Sequence, residues 1–481
     1  MPNEYAIAIK TKIIDSKQKI IDELKRYKIE YFLIIITTVI ALLLFDYGDC
    51  IAYTAWSIEI WESLFNGRIG EYFTVSAENK WGSPVGGNCY GVLWLIPWGI
   101  WNLPIWIIQT ICGNYTVDVP AAIIWSKLFL ILCVLLIGVY SKKIVKHITD
   151  NEHYSSLCML LCMGGGTALI SVGYSGQDEV MYMASFIMGS YYLLVNRKLL
   201  SYIFLIFSVV CFPLMILPVS IVVLVKEKNL IKCAIMVAIT LIPDKIVSYL
   251  CGISAIPELR ETYLVAGDFP MKIVIDWYFL STSIWAGKSQ LSILGIILAI
   301  VLILCYLKKH DDNVKTISLC IAISFLSIFM LSWMHFYRYY SCMVPAIIAI
   351  FIVLKDNSTT QRIALFVMCL IEYSASIIAC YDINCMSYKN THNTILGDII
   401  NWNYDGNFMT LLIAKNDIVN SSFEPLLLSA SVGLCILLLW LLIKKPIMEC
   451  GIKFSTESIT KLYVLSPLLL LAIMAVTPLI A

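Results

Sequence analysis

Apolar positions along this chain neither alternate nor recur as one helical stripe. They come in nearly unbroken runs, many of about 17–22 residues, with short polar stretches between them. A helix of that length crosses a hydrocarbon core of about 30 Å. The runs predict helices near 29–45, 121–140, 156–174, 180–195, 199–211, 213–225, 231–249, 290–307, 316–334, 341–354, 363–380, 425–443 and 461–480. The expected fold is therefore all-α, a polytopic transmembrane helical bundle of about 11–13 spans.

Two runs need separate treatment. Residues 199–225 have basic residues at both ends and a break at Phe212-Pro213. They predict two short helices meeting near the outer face. Residues 90–112 carry Pro97, Gly99 and Pro104 with Trp94, Trp98, Trp101 and Trp106. Tryptophan favours the membrane interface, and proline interrupts a spanning helix. This segment is expected to lie at the outer surface, or to dip in and return.

Charge orients the map. With the N-terminus inside, Lys and Arg cluster at residues 1–28, 141–146, 197–198, 226–232, 308–315, 355–362 and 444–461. About 24 of the 34 basic residues fall there, which is the positive-inside bias. The first 28 residues interleave seven Lys/Arg with Ile13, Ile14, Ile20, Ile21 and Leu24. They read as a cytoplasmic interfacial helix or a solvated basic tail. Residues 29–380 form the main membrane module, including an outer loop over 46–120. An outer segment over 381–424 and C-terminal spans over 425–481 follow.

Composition agrees with a membrane chain. Hydrophobic residues make up 60% and charged residues 14% of the sequence, where a soluble domain carries about 25% charged. Most of the 17 cysteines sit in apolar runs, where they behave as small hydrophobes. Cys50, Cys89, Cys251 and Cys385 fall in outer segments. No His/Cys cluster has metal-ligand spacing, no phosphate loop is present, and nothing suggests nucleic-acid binding. No cofactor is expected; a divalent metal stays open.

Three outer-face features could carry chemistry. The first span runs into Asp46-Tyr-Gly-Asp49. A carboxylate beside low dielectric can have its pKa raised toward a range useful for proton abstraction; equally, acidic residues simply stop spans. After Asp49, the residues Ala52, Ala55, Trp56, Ile60 and Leu64 share a face, which predicts an amphipathic helix on the membrane surface ended by Gly67 and Gly70. Second, Gly173-Tyr-Ser-Gly-Gln177-Asp178-Glu179 predicts a tight turn opening a helix, with Asp178 as a site residue or merely a cap. Third, His335-Phe-Tyr-Arg338-Tyr339-Tyr340 offers an Arg for a phosphate, or an ordinary aromatic belt. Arg260 is a further outer cation. Lys127 lies just inside a span, as a functional or a snorkelling residue. Asp244 and Lys245 form a possible buried pair.

Together these residues resemble the start of a GT-C fold glycosyltransferase. The resemblance rests on one span, then Asp49, Tyr53 four residues on, an aromatic helix with Trp61, and Gly67 and Tyr72. The Tyr90–Pro104 stretch is similar to that family's juxtamembrane helix. The Gly176-Gln177-Asp178 turn and the Phe212-Pro213, Pro218 break also match. The likeness covers roughly residues 30–230. The chain departs from the family at Cys89-Tyr90-Gly91, where many relatives have Tyr-Pro-Pro, and at Cys211-Phe212, where a lysine is common.

The resemblance implies a polyprenyl-phosphate sugar donor, an extracytoplasmic site, and a glycan, lipid or protein acceptor. Asp49 or Asp46 would be catalytic. Tyr53, Gln177, Asp178, Glu179, Lys127, Arg260, His335, Arg338 and Tyr339 would bind substrate. Other classes compete: a multi-pass transporter or lipid-linked-sugar flippase, which would show broken helices in two similar halves, and a polysaccharide polymerase or ligase, whose site could use Asp382, His392 and Asp398 of the third outer segment.

Overall fold

The computed structural model describes residues 17–18, 20–44, 48–84, 86–88, 90–165, 176, 178–212, 215–255, 303, 306–307, 359–380, 430, 433–434, 437, 457–466 and 468. Among these, every regular element is helical. Asp46, Gln177, Arg260, His335, Arg338 and Tyr339 lie outside the described residues. So do Asp382, His392, Asp398 and most of the expected spans after residue 255.

In chain order the helices are α1 (Lys28–Leu44), α2 (Gly48–Phe65), α3 (Tyr72–Ala77), α4 (Leu95–Cys112), α5 (Pro120–Thr149), α6 (Glu152–Gly164), α7 (Glu179–Leu194), α8 (Lys198–Cys211), α9 (Ile216–Glu227), α10 (Leu230–Leu250) and α11 (Thr359–Cys380). Short 3-10 turns occupy Ile69–Glu71 and Ile253–Ala255. Pro120 opens α5, where its missing N–H costs nothing. Asn151 caps α6 and Asn229 caps α10 through their side chains. The expected pair of short helices is present: α8 stops at Cys211, Phe212 is extended, and α9 begins at Ile216.

The helices shuttle between two ends of a bundle. At one end Lys142 pairs with Glu23, Lys146 pairs with Glu152, and the Tyr27 hydroxyl meets His153 Nδ1 at 2.6 Å. The Lys143 ammonium sits over the Tyr140 and Tyr191 rings there, and Lys198 and Lys232 flank Glu227. At the other end the N-termini of α5 and α7 and the C-terminal end of α10 gather around α2–α4. There Gly252 packs on the Gly70 carbonyl, and the Phe73 N–H donates to the Cys251 carbonyl at 3.4 Å. Among the described residues, the basic positions at 142–146, 198 and 232 thus share one end, and Asp49 and Asp178 share the other.

Among the described residues two helices, α4 and α5, are long and apolar enough to cross a membrane. Along α10, Ile231, Ile235, Ile239, Ile242 and Ile246 form an exposed apolar stripe, and Ile29, Phe32, Ile35 and Val39 do the same on α1. A soluble monomer rarely exposes continuous apolar surface of that extent.

Several expectations need correction. The helix after Asp49 is not a one-sided surface helix. Residues Cys50 through Glu59 are buried on every side, while Leu64, expected on the apolar face, is 48% exposed. The run 156–174 does not continue as one helix, because α6 ends at Gly164. A Cβ on Gly165 would fall 2.5 Å from the Tyr463 hydroxyl, so the close approach of the C-terminal helical segment requires glycine there. Helix α5 runs nine residues beyond the expected 140, to Thr149, and carries Lys142, Lys143 and Lys146 within it. The prolines at 97 and 104 do not divide 95–112, which forms one helix with Pro104 inside.

Candidate active site

Helices α2 and α4 run side by side in the same direction. The Trp61 Nε1–H donates to the Gly99 carbonyl at 2.6 Å, and Phe65 stacks on Trp106 with ring centres 4.7 Å apart. A Cβ at Gly99 would lie 3.1 Å from the Ser57 carbonyl, so the glycine lets the two backbones approach. A buried polar relay then ties both helices to α5. Thr54 donates to Ser126 at 2.8 Å, Ser126 to Asn102 at 3.1 Å, and the Asn102 amide to Ser57 at 3.0 Å. Trp101 and Trp125 exchange indole-to-carbonyl hydrogen bonds at 2.8 and 2.9 Å. Burial of so many polar groups is tolerated because each has a partner.

This scaffold sets the N-terminus of α2 against the turn before α7. A Cβ on Gly176 would fall 2.6 Å from the Cys50 Cβ, so the turn rests directly on the first turn of α2. The contact brings Asp49, Tyr53, Asp178 and Glu179 together. Burial holds the Asp178 carboxyl well above its ordinary range, at about 7; a backbone hydrogen bond opposes this, and the neighbouring Asp49 charge adds to it. The Tyr53 hydroxyl is raised too, first by burial and then by the charges of Asp178, Asp49 and Glu179. Glu179 is buried, and its Oε2 has no hydrogen-bond partner among the described residues. Asp178 sits at the start of α7, yet its side chain makes no capping bond. The bland reading of Asp178 as a helix cap therefore fails in its mechanism.

Aromatic rings wall the cluster. Tyr53 meets Trp94 edge-on at 5.0 Å and lies near Trp56 and Trp98 at 5.7 and 6.0 Å. On the far side Tyr182 stacks on Phe212 at 4.7 Å. Lys127, one residue beyond the relay's Ser126, is fully buried. It does not snorkel, since its ammonium cannot reach solvent from there.

Sequence reasoning did not place two further acidic residues at the site. Asp244, read as a possible buried pair with Lys245, accepts the Leu93 N–H through its Oδ1 at 2.9 Å. No local pattern signals so distant a contact. Glu59 had no sequence signal beyond its carboxyl. It is fully buried, and burial pushes it up to about 8. Ser76 lies near enough to oppose this slightly, but neither Glu59 oxygen has a partner at hydrogen-bond geometry among the described residues.

The cluster can hold and exchange a proton among carboxyls in a partly dry setting. No group of three or more His, Cys, Asp or Glu arranged to hold a metal ion occurs among the described residues. Cys50 and Cys251 form no disulfide with a described residue. Comparison with protein-family models, curated proteins and solved structures finds no match to this chain.

Proposed function

We propose that this chain is a multi-pass membrane glycosyltransferase. It would move a sugar from a polyprenyl-phosphate donor to an acceptor hydroxyl at the extracytoplasmic face. The observation that carries this reading is the convergence of Asp49, Tyr53, Asp178 and Glu179 at the end of the bundle opposite the basic clusters. By the positive-inside rule that end faces outward. The exposed isoleucine stripe of α10 and the apolar lengths of α4 and α5 support insertion in lipid.

In this reaction Asp49 takes the proton of the acceptor hydroxyl. The acceptor oxygen attacks the anomeric carbon, and the bond from that carbon to the phosphate oxygen breaks. The electron pair leaves with the polyprenyl phosphate, which Lys127, with Arg260 and Arg338, would stabilise. A single in-line displacement inverts the anomeric centre. Asp178, held partly protonated near neutral pH, and Glu179 keep the pocket from carrying three full negative charges and orient the sugar hydroxyls.

The test is direct. Membranes containing the chain are mixed with radiolabelled polyprenyl-phosphate hexoses, beside the Asp49→Asn form. Transfer by the wild type and its loss in the variant support the reading, and equal transfer by both removes Asp49 from the mechanism. Cysteine labelling from outside should reach residue 80 and miss residue 143; the reverse would invert the site's sidedness.

A proton-coupled flippase is the second reading. The half-buried carboxyl of Asp178, raised to about 7, favours it, because such a group loads and releases protons near neutrality. Movement of labelled lipid without sugar transfer would select it.

A further inference from the structure

The turn over Tyr90–Leu93 has no regular structure of its own, yet it is held at several points. The Tyr90 N–H donates to Asn88 Oδ1 at 2.9 Å, and the Asn88 N–H donates to Ser76 Oγ at 2.8 Å. The Leu93 N–H crosses to α10 and donates to Asp244 Oδ1 at 2.9 Å. The carboxyl lies so close to the turn that a Cβ on Gly91 would fall 1.9 Å from Asp244 Oδ2 and 2.4 Å from its Cγ. Residue 91 must therefore lack a side chain while Asp244 occupies that place.

The turn carries an aromatic ring to the edge of the carboxylate cluster. Tyr90 is 47% exposed, and its ring lies 6.1 Å from that of Trp56. Trp56 in turn packs on Tyr53 at 5.7 Å, and the Trp94–Trp98 wall begins at the residue directly after Leu93. Tyr90 is thus an open aromatic face beside otherwise enclosed rings. A pyranose presents axial C–H groups that pack on such a face, while its hydroxyls turn to carboxylates.

We propose that Asp244 is a positioning residue: by holding the Leu93 N–H it fixes the turn that presents the Tyr90 ring as a platform for a glycosyl ring beside Asp49. The platform role rests on the glycosyltransferase reading, whereas the pin itself does not. Asp244 touches no substrate in this arrangement and acts through Tyr90. It also links α10 to the α2–α4 unit, so the geometry of the site depends on a contact between residues 151 positions apart.

The experiment uses the full chain in lipid nanodiscs and reads amide hydrogen exchange over residues 88–95, with α7 and α8 as internal controls. Asp244→Ala should raise exchange in that segment at least tenfold and leave the controls unchanged. Asp244→Asn keeps an oxygen that accepts the Leu93 N–H and should stay near wild type. Gly91→Ala, whose methyl collides with the carboxyl, should mimic Asp244→Ala. Unchanged exchange in Asp244→Ala, or Asp244→Asn as disturbed as the alanine form, overturns the pin.

Sugar transfer from radiolabelled polyprenyl-phosphate hexose reads the platform. Asp244→Ala and Tyr90→Ala should each raise KM about tenfold with kcat less affected, and the double variant should be no worse than either. Additive losses overturn the coupling. A wild type that transfers no sugar while exchange behaves as stated leaves the pin standing and removes the glycosyltransferase reading with its platform.

Discussion

Gly176 and Cys50 are in contact although they lie far apart in the chain: a Cβ on the glycine would stand 2.6 Å from the Cys50 Cβ and 3.0 Å from its sulfur. Gly176 also has φ +53, a backbone region that side chains rarely adopt. This one approach joins the acidic start of α2 to the acidic start of α7 and so creates the carboxylate cluster. Gly176→Ala should therefore separate Asp178 from Asp49 while the rest of the bundle persists. Overpacking and positive-φ strain together predict a destabilisation of about 2–3 kcal/mol, checked by thermal unfolding of the detergent-solubilised chain. Sugar transfer should fall more steeply than stability does.

The charge coupling at that contact gives a second expectation. Burial, with the Asp49 charge adding to it, holds Asp178 up at about 7. Asp49→Asn removes a negative neighbour, so the Asp178 pKa should drop toward its ordinary range without reaching it, because burial remains. Infrared difference spectra of the protonated carboxyl band, titrated from pH 4 to 9, would follow it. A midpoint that stays put in Asp49→Asn would mean that the two carboxyls do not sense each other.

Glu59 predicts a pH-dependent stability. Its folded pKa of about 8 lies above the ordinary 4.5, because burial disfavours the charged form. Below pH 4.5 the carboxyl is protonated in both folded and unfolded chains and nothing is lost. Between 4.5 and 8 only the folded chain keeps the proton, so stability falls as pH rises; above 8 the loss is constant. Glu59→Gln removes this dependence. Its advantage over wild type should be negligible at pH 4 and grow to about 3–5 kcal/mol by pH 8. Unfolding midpoints of the two forms, compared across that range, check the sign. A constant difference would place the Glu59 carboxyl in a wetter setting than its burial indicates.

What the sequence revealed and what it hid follow from the range of the interactions. The α8–α9 break was readable because Phe212-Pro213 and the flanking Arg197, Lys198 and Lys228 are local signals. The helix after Asp49 was readable together with its end near Gly67: it runs to Phe65, and Gly67 has φ +67. Its surroundings were misjudged. The helix was expected on the membrane surface, but Ser126 and Asn102 satisfy its Thr54 and Ser57 hydroxyls in the interior. A hydroxyl bonded across helices is indistinguishable in a pattern from one bonded to water. Asp244 was hidden for the same reason: the Leu93 N–H that it accepts lies 151 positions away along the chain.

The relay supplies the last expectation, through a contrast between two buried polar groups. Asn102 donates to Ser57 and accepts from Ser126, and both hydroxyls are enclosed. Asn102→Ala leaves Ser57 bonded only to the Thr54 carbonyl and Ser126 only to the Thr54 hydroxyl, and it opens space between α2, α4 and α5, so it should cost about 2–4 kcal/mol. Ser63, on the same helix α2, is buried with no hydrogen-bond partner for its Oγ among the described residues. Deleting that hydroxyl strands nothing, and Ser63→Ala should be neutral or stabilising by up to about 1 kcal/mol. Both variants are read by the same thermal unfolding measurement, with tryptophan fluorescence reporting on Trp101 and Trp125 beside the relay. The order matters more than the sizes. If Ser63→Ala proved the costlier change, the polar relay would not be what fastens α2 and α4 to α5, and the packing of Trp101 on Trp125 would have to account for it instead.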